Sequence, residues 1–176
     1  MTTYISMLRG INVSGQKKIK MEELKEFYRS LGFKNIQTYI QSGNVIFESS
    51  DKNVSKIINK IERKIKKSFG FDVLVLIRTK NDLKKLIDNN PFAKKDNSKI
   101  LVTLLSDTPL QSPIDEITKI KDDSEEFFIF GKQIYLFCPN GYGKSKLSNN
   151  FFERKLKLSA TTRNWKTVNK LLELAE

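Results

Sequence analysis

Apolar positions recur along the chain with two different periods, and the switches between them mark the elements. Residues 4–9, YISMLR, read as a strand, and the polar loop GINVSGQKK follows. Met21, Leu24, Phe27, Tyr28 and Leu31 fall at helical spacings, predicting a helix over 20–31 that Gly32 stops. NIQTYI and NVIFES are β-rich and flank the turn residues QSG, the pattern of a hairpin. Over 54–69, Val54, Ile57, Ile58, Ile61, Ile65 and Phe69 line one helix face, with Lys56, Lys60, Arg63, Lys64 and Lys67 mostly off it. FDVLVLIRT is then an apolar, buried strand. The resulting order, β-α-β-β-α-β, is that of the ferredoxin-like split βαβ unit.

The second half is less regular. Residues 80–89 read as a helix, KILVTLL as a strand, DTPLQSP as a loop and IDEITKI as a short helix. EEFFIF and QIYLF flank Gly131-Lys132 as a second hairpin, and helices are expected near 145–156 and 164–175. No repeat, low-complexity tract or flexible linker is visible. The expectation is an α+β fold of two subdomains: a ferredoxin-like unit over 1–79, packed against a small α/β subdomain with C-terminal helices over 80–176.

Composition removes much chemistry. The chain of 176 residues has no histidine, which excludes Ser-His and Cys-His nucleophilic sites and the usual zinc sites. Its single cysteine, Cys138, excludes an internal disulfide and lies in the apolar run IYLFCP, where a structural thiol is expected. No metal site is expected and no cofactor is implied. No apolar run nears the roughly 18 residues that span a bilayer, and the first residues lack the features of a signal peptide, so a cytoplasmic location is expected.

The net charge is +12, which invites a nucleic-acid reading. However, 26 of the 32 basic residues are lysine, and arginine carries most bidentate phosphate and base recognition. The excess is concentrated in 141–170, with eight basic residues against Glu153 alone.

Three polar constellations remain. The first, CPNGYGKSKL, ends in Gly143-Lys144-Ser145 like a nucleotide-binding P-loop. That loop needs glycine at 138, where Cys138 stands, and Pro139 would put a residue without an N–H inside the phosphate cradle. What survives is a tight turn, a helix that Ser145 would cap, and an anion site at that helix start assisted by Lys144. The second is SATTRNW, where Thr161, Thr162 or Asn164 would cap the last helix. Arg163 is out of place there, because helix N-termini favour negative charge by about 0.3–1 kcal/mol, so a carboxylate or a bound anion is expected beside it. The third follows from topology. The first and third strands of a ferredoxin-like sheet are neighbours, so Arg9-Gly10-Ile11-Asn12 should meet Gln41-Ser42-Gly43-Asn44 at one rim. Arg9, Asn12, Ser42 and Asn44 would supply polar groups, for a ligand or for a hydrogen-bonded corner. An RNA-recognition reading of the same sheet fails, since strand three, GNVIFES, lacks the required aromatic pattern.

Taken together, MLRGINVSGQKKIKMEELKEFYRSLGFKNIQTYIQSGNVIFES and the C-terminal GYGKSKL and FFERKLKLSATTRNWKTVNKLLELA resemble a bacterial family known as domain of unknown function 1697. Members commonly show LRGINVGG, TYIQSGNVVF and ATTRNWNTV; this chain departs with Ser14 for a glycine and Lys166 for an asparagine. The resemblance implies an α+β protein with a ferredoxin-like part, and it places Arg9, Asn12, Ser42, Asn44, Ser145, Thr162, Arg163 and Asn164 within the family pattern. It implies no activity.

The functional expectation is a monomeric, cytoplasmic binding protein for an anionic ligand, either a phosphorylated small molecule or a nucleic-acid phosphate. The alternatives are a histidine-independent enzyme acting on an anionic substrate and a protein-interaction module.

Overall fold

Cap residues set the ends of the longest helix. Asn53 accepts a hydrogen bond from the Lys56 N–H at 3.0 Å, and Gly70 closes the other end at φ 79°, its N–H donating to the Lys66 carbonyl. Between them helix α2 (Val54–Phe69) buries Ile57, Ile61 and Ile65, the stripe predicted from its periodicity. A computed structural model describes residues 1–120 and 122–176. The chain divides into two compact units, Met1–Lys84 with Lys170–Glu176, and Lys85–Asn169.

The first unit carries β1 (Thr2–Leu8), α1 (Met21–Ser30), β2 (Lys34–Tyr39), β3 (Asn44–Ser49), α2 and β4 (Val75–Thr79). Its antiparallel sheet has the order β2-β3-β1-β4, the ferredoxin-like arrangement. One sheet face places Tyr4, Leu8, Val45, Phe47, Val75 and Ile77 in a core with Leu24, Phe27 and Tyr28 of α1 and the α2 stripe. The Tyr28 hydroxyl shares a 2.8 Å hydrogen bond with Ser6, so neither buried hydroxyl is left unsatisfied. Residues of the opposite pleat, Ile5, Met7 and Leu76, are buried as well. Helix α3 (Lys80–Asp88) follows β4 directly, with Thr79 and Asp82 bonding reciprocally across its first turn.

The second unit has the same plan. It runs β5 (Ile100–Leu105), α4 (Gln111–Thr118), β6 (Glu126–Phe130), β7 (Gln133–Phe137), α5 (Asn149–Leu156) and β8 (Ala160–Asn164), with sheet order β6-β7-β5-β8. Helix α6 (Trp165–Leu174) then follows β8 directly, as α3 follows β4. The correspondence extends to single hydrogen bonds. Leu8 N–H donates to the Gly43 carbonyl and Leu105 N–H to that of Lys132; Arg9 N–H donates to Leu74 and Ser106 N–H to Ser159. What repeats is topology and register, with few residues in common, which is why the sequence shows no repeat.

Two expectations are corrected here. The segment ATTRN is strand β8 rather than a loop and helix start, and its pairing with β5 completes the second βαββαβ unit. The helix expected from 145 begins at Asn149, because Ser148 is the capping residue: its hydroxyl accepts from the Phe151 N–H at 3.2 Å. Leu147 before that cap and Phe152 in the first turn both lie in the second unit's core, at the positions of a hydrophobic staple.

The β1–β3 connection in the first unit depends on Gly43. Its φ is +75°, and a Cβ there would sit 2.6 Å from Ile11 Cδ1 and 2.9 Å from Leu8 Cβ. Gly10 has a similar φ of +70°, but a methyl group there would meet nothing within 4 Å. Gly43→Ala is therefore expected to cost about 2–4 kcal/mol, combining left-handed strain with overpacking, and Gly10→Ala about 1–2 kcal/mol from strain alone. Urea denaturation of the two variants measures the difference; equal losses would refute the packing contribution.

Candidate functional site

Strand alternation decides which motif residues meet. In β8 the Thr162 side chain lies on the pleat that faces α5, where its hydroxyl bonds Thr103 of β5 at 2.8 Å and Asn149 Oδ1 of α5 at 3.2 Å. Tyr142 of the GYGKS segment donates its hydroxyl to Thr162 Oγ1 at 3.4 Å, and Asn149 Nδ2 donates to the Ala160 carbonyl at 2.9 Å. The two C-terminal motifs are thus joined, through Tyr142 and Thr162. Burial raises the Tyr142 phenol above its ordinary value, so it is a neutral donor at physiological pH.

Arg163 lies on the opposite pleat. It is 8% exposed, and its Nη1 donates to Thr161 Oγ1 at 2.8 Å and to the Thr162 carbonyl at 3.0 Å. It belongs to strand β8, one residue before the cap of α6. The cap of α6 is Asn164, whose Oδ1 accepts from the Thr167 N–H at 2.8 Å. Burial lowers the Arg163 guanidinium to about 10. The first unit has a counterpart that the sequence reading missed. Arg78 sits opposite Ile5 as Arg163 sits opposite Val102, donates to the carbonyl of the preceding Ile77 at 3.0 Å, and is likewise lowered by burial.

The GYGKS segment itself forms a single 3-10 turn over Tyr142–Lys144. Ser145 ends that turn and accepts from the Leu147 N–H at 2.9 Å, so it does not cap α5. Lys144 is exposed and lines a cavity of about 540 Å³ with Lys99, Asp122, Glu125, Pro139 and Asn140. Its wall is held by local bonds. Asp122 accepts from the Ser124 N–H at 2.9 Å, Glu125 N–H donates to the Asp122 carbonyl at 3.0 Å, and Asn140 Nδ2 donates to Ser124 Oγ at 3.1 Å. Glu125 and Lys99 were not singled out from sequence, because each is one charged residue among many in that region. A second hollow of about 460 Å³ lies between α4 and β6, bordered by Pro109, Ile114, Phe127 and Ile129, with no charged side chain and none of the motif residues among the described residues that line it. Among the described residues no group of three or more acidic, cysteine or histidine side chains is placed to hold a metal.

In the first unit the expected rim forms. Asn12 donates to the Gln41 carbonyl at 2.8 Å and the Ile19 carbonyl at 2.9 Å, and accepts from the Ile19 N–H at 2.9 Å. Asn44 is fully buried and donates to Ser42 Oγ at 2.9 Å and the Tyr39 carbonyl at 3.0 Å. Both amides therefore spend their donors on the chain's own corner. Arg9, half-buried, follows β1 at the same rim, its N–H held by the Leu74 carbonyl. Ser14 sits at φ 50°, which accounts for the glycine that the LRGINVGG pattern has there.

Cys138, just beyond β7, is 1% exposed, and its thiol is pushed up to about 11, first by burial and then by the Glu125 carboxylate, with Ser145 opposing. In the unfolded chain the thiol ionises near 9.0. The folded state therefore keeps the proton where the unfolded state loses it. This contribution to stability is complete below pH 9 and disappears as pH rises through about 11. Between pH 8 and 11 the stability of wild type is expected to fall more than that of Cys138→Ala, by on the order of 2 kcal/mol. Urea midpoints across that range test this, and parallel curves would refute it.

The fold as a whole is shared with a solved structure. "Conserved bacterial protein SP0830 from Streptococcus pneumoniae" matches with a TM-score of 0.80 at 24% identity, over 99% of this chain and 99% of that one. No curated protein matches the chain. The family described as "Protein of unknown function (DUF1697)" matches residues 1–135, which include the LRGIN and IQSGN segments of the rim, and the chain belongs to that family.

Proposed function

We propose that this chain is a binding protein for an anionic small molecule, held in the second unit by Lys99 and Lys144. The observation that carries this reading is the cavity of about 540 Å³ that both lysines line, with neither ammonium in an ion pair among the described residues. Unpaired cations around a concave site attract an anion, and Asn140 adds polar capacity beside them. The location also gives Lys144 of the GYGKS motif a role that the failed P-loop comparison left open.

Binding is favoured over thiol chemistry by the state of the chain's single cysteine. With its thiol pushed up to about 11, Cys138 is protonated at neutral pH and nearly inaccessible. A rival reading as a protein-interaction module rests on Phe128 and Phe130, each 49% exposed on the edge strand β6.

Titration with inorganic phosphate, nucleoside monophosphates, single-stranded RNA and duplex DNA over a salt series separates these readings. A phosphorylated small molecule is expected to bind, and Lys99→Ala with Lys144→Ala is expected to weaken it at least about tenfold, with no change in urea midpoint. Polynucleotide binding that falls steeply with salt would assign the site to nucleic acid instead. Absence of binding to every anion would refute the reading.

A further inference from the structure

The same cavity contains a feature that an anion alone does not explain. Glu125 lines it, is 4% exposed, and carries a carboxylate oxygen, Oε2, that is sealed from solvent with no hydrogen-bond partner among the described residues. The Asp122–Glu125 turn, braced by Ser124 and Asn140, holds the residue in place. Buried carboxylates are ordinarily matched by donors, and the described backbone and side chains around this one leave the match incomplete. Two lysines line the cavity without supplying it: Lys144 is exposed and Lys99 half-buried. Glu125 lies near enough to Cys138 for its charge to act on the thiol. The pocket therefore has a cationic side and an acidic, donor-poor one.

We infer that the cavity takes a small zwitterion, whose primary ammonium draws the Glu125 side chain round to meet it while its anionic group meets Lys99 and Lys144. This inference rests on the anion-binding reading and deepens it. The ammonium brings both the counter-charge and the N–H donors that the carboxylate lacks, and a charge-assisted bond of this kind is stronger than a neutral one. An anion without the ammonium would approach Glu125 with like charge and gain nothing from it.

Calorimetric titration with methyl phosphate, O-phosphoethanolamine and O-phosphocholine tests the inference. O-Phosphoethanolamine is expected to bind at least about tenfold more tightly than methyl phosphate. O-Phosphocholine, whose quaternary ammonium cannot donate, is expected to lose most of that gain. Glu125→Gln should remove the preference, bringing the affinities for the two phosphate esters together. Lys144→Ala should weaken both phosphate esters and preserve their ratio. Equal affinities of wild type for methyl phosphate and O-phosphoethanolamine would overturn the zwitterion while leaving the anion site standing, as would a preference that survives Glu125→Gln. If no probe binds, the anion site falls too. The comparison between the ammonium and quaternary ligands uses wild type alone, so a Glu125 variant that fails to fold does not remove the test.

Discussion

The two-residue period of a β-strand is the constraint on which the candidate site depends. Adjacent residues of β8 point to opposite faces of its sheet, so Thr162 joins the hydroxyl network with Thr103, Tyr142 and Asn149 while Arg163 joins Thr161 on the other side. In a linear reading TTRN looks like one polar cluster, and a single anion serving Thr162 and Arg163 looks natural. Pleating forbids that arrangement. The residues that GYGKS can share with the final motif are those on the α5 face, and the connection observed is Tyr142 to Thr162. Arg163 instead serves the opposite face, where its buried guanidinium donates to the Thr161 hydroxyl and the Thr162 carbonyl.

Duplication of the βαββαβ plan explains why an arginine occupies that position. Arg78 and Arg163 fall at the same rung of equivalent edge strands, each opposite an apolar residue of the central strand and each donating to the carbonyl just before it. Edge strands leave backbone groups without a ladder partner, and a guanidinium folded back on its own strand supplies a donor there. Desolvation lowers both arginines, which is the cost of that placement. Each strand then ends on a short polar residue, Thr79 or Asn164, that caps the helix following it. The sequence pair Arg-Thr or Arg-Asn thus marks a strand-to-helix junction in both units, and its role in the fold comes before any role in binding.

How much was legible in the sequence depended on whether local periodicity matched the final environment. Helix α2 was readable because its apolar stripe, asparagine cap and glycine stop all agree, and it spans the predicted residues. Strand β8 was not, because Thr161 and Thr162 present hydroxyls where a buried strand usually presents Val, Ile or Leu, and the Thr162 hydroxyl is satisfied by Thr103 and Asn149 on other elements while that of Thr161 is satisfied by the folded-back Arg163. The start of α5 was misplaced because Ser145 and Ser148 are both competent caps, and only the packing of Leu147 and Phe152 selects the second. The rim was legible from topology alone: once β1 and β3 are neighbours, Asn12 and Gln41 must approach, and they do. Glu125 was invisible because a carboxylate's burial is a property of the tertiary structure, with no signature in the stretch DDSEEFF.

Charge operates here on two scales that should be kept apart. The excess of +12 is spread over 26 lysines and raises the local concentration of every anion near the surface, so it speeds encounter without choosing a ligand. Selection requires a group whose interactions are not screened by water, and exposed lysines are poor candidates for that role. Glu125 is a better one, because it is nearly removed from solvent in a chain whose average field is positive. A carboxylate so placed repels bare anions from its side of the cavity while the lysines attract them from the other. The two sides therefore specify a dipolar ligand with a defined orientation, a discrimination that neither the net charge nor the GYGKS motif can produce alone.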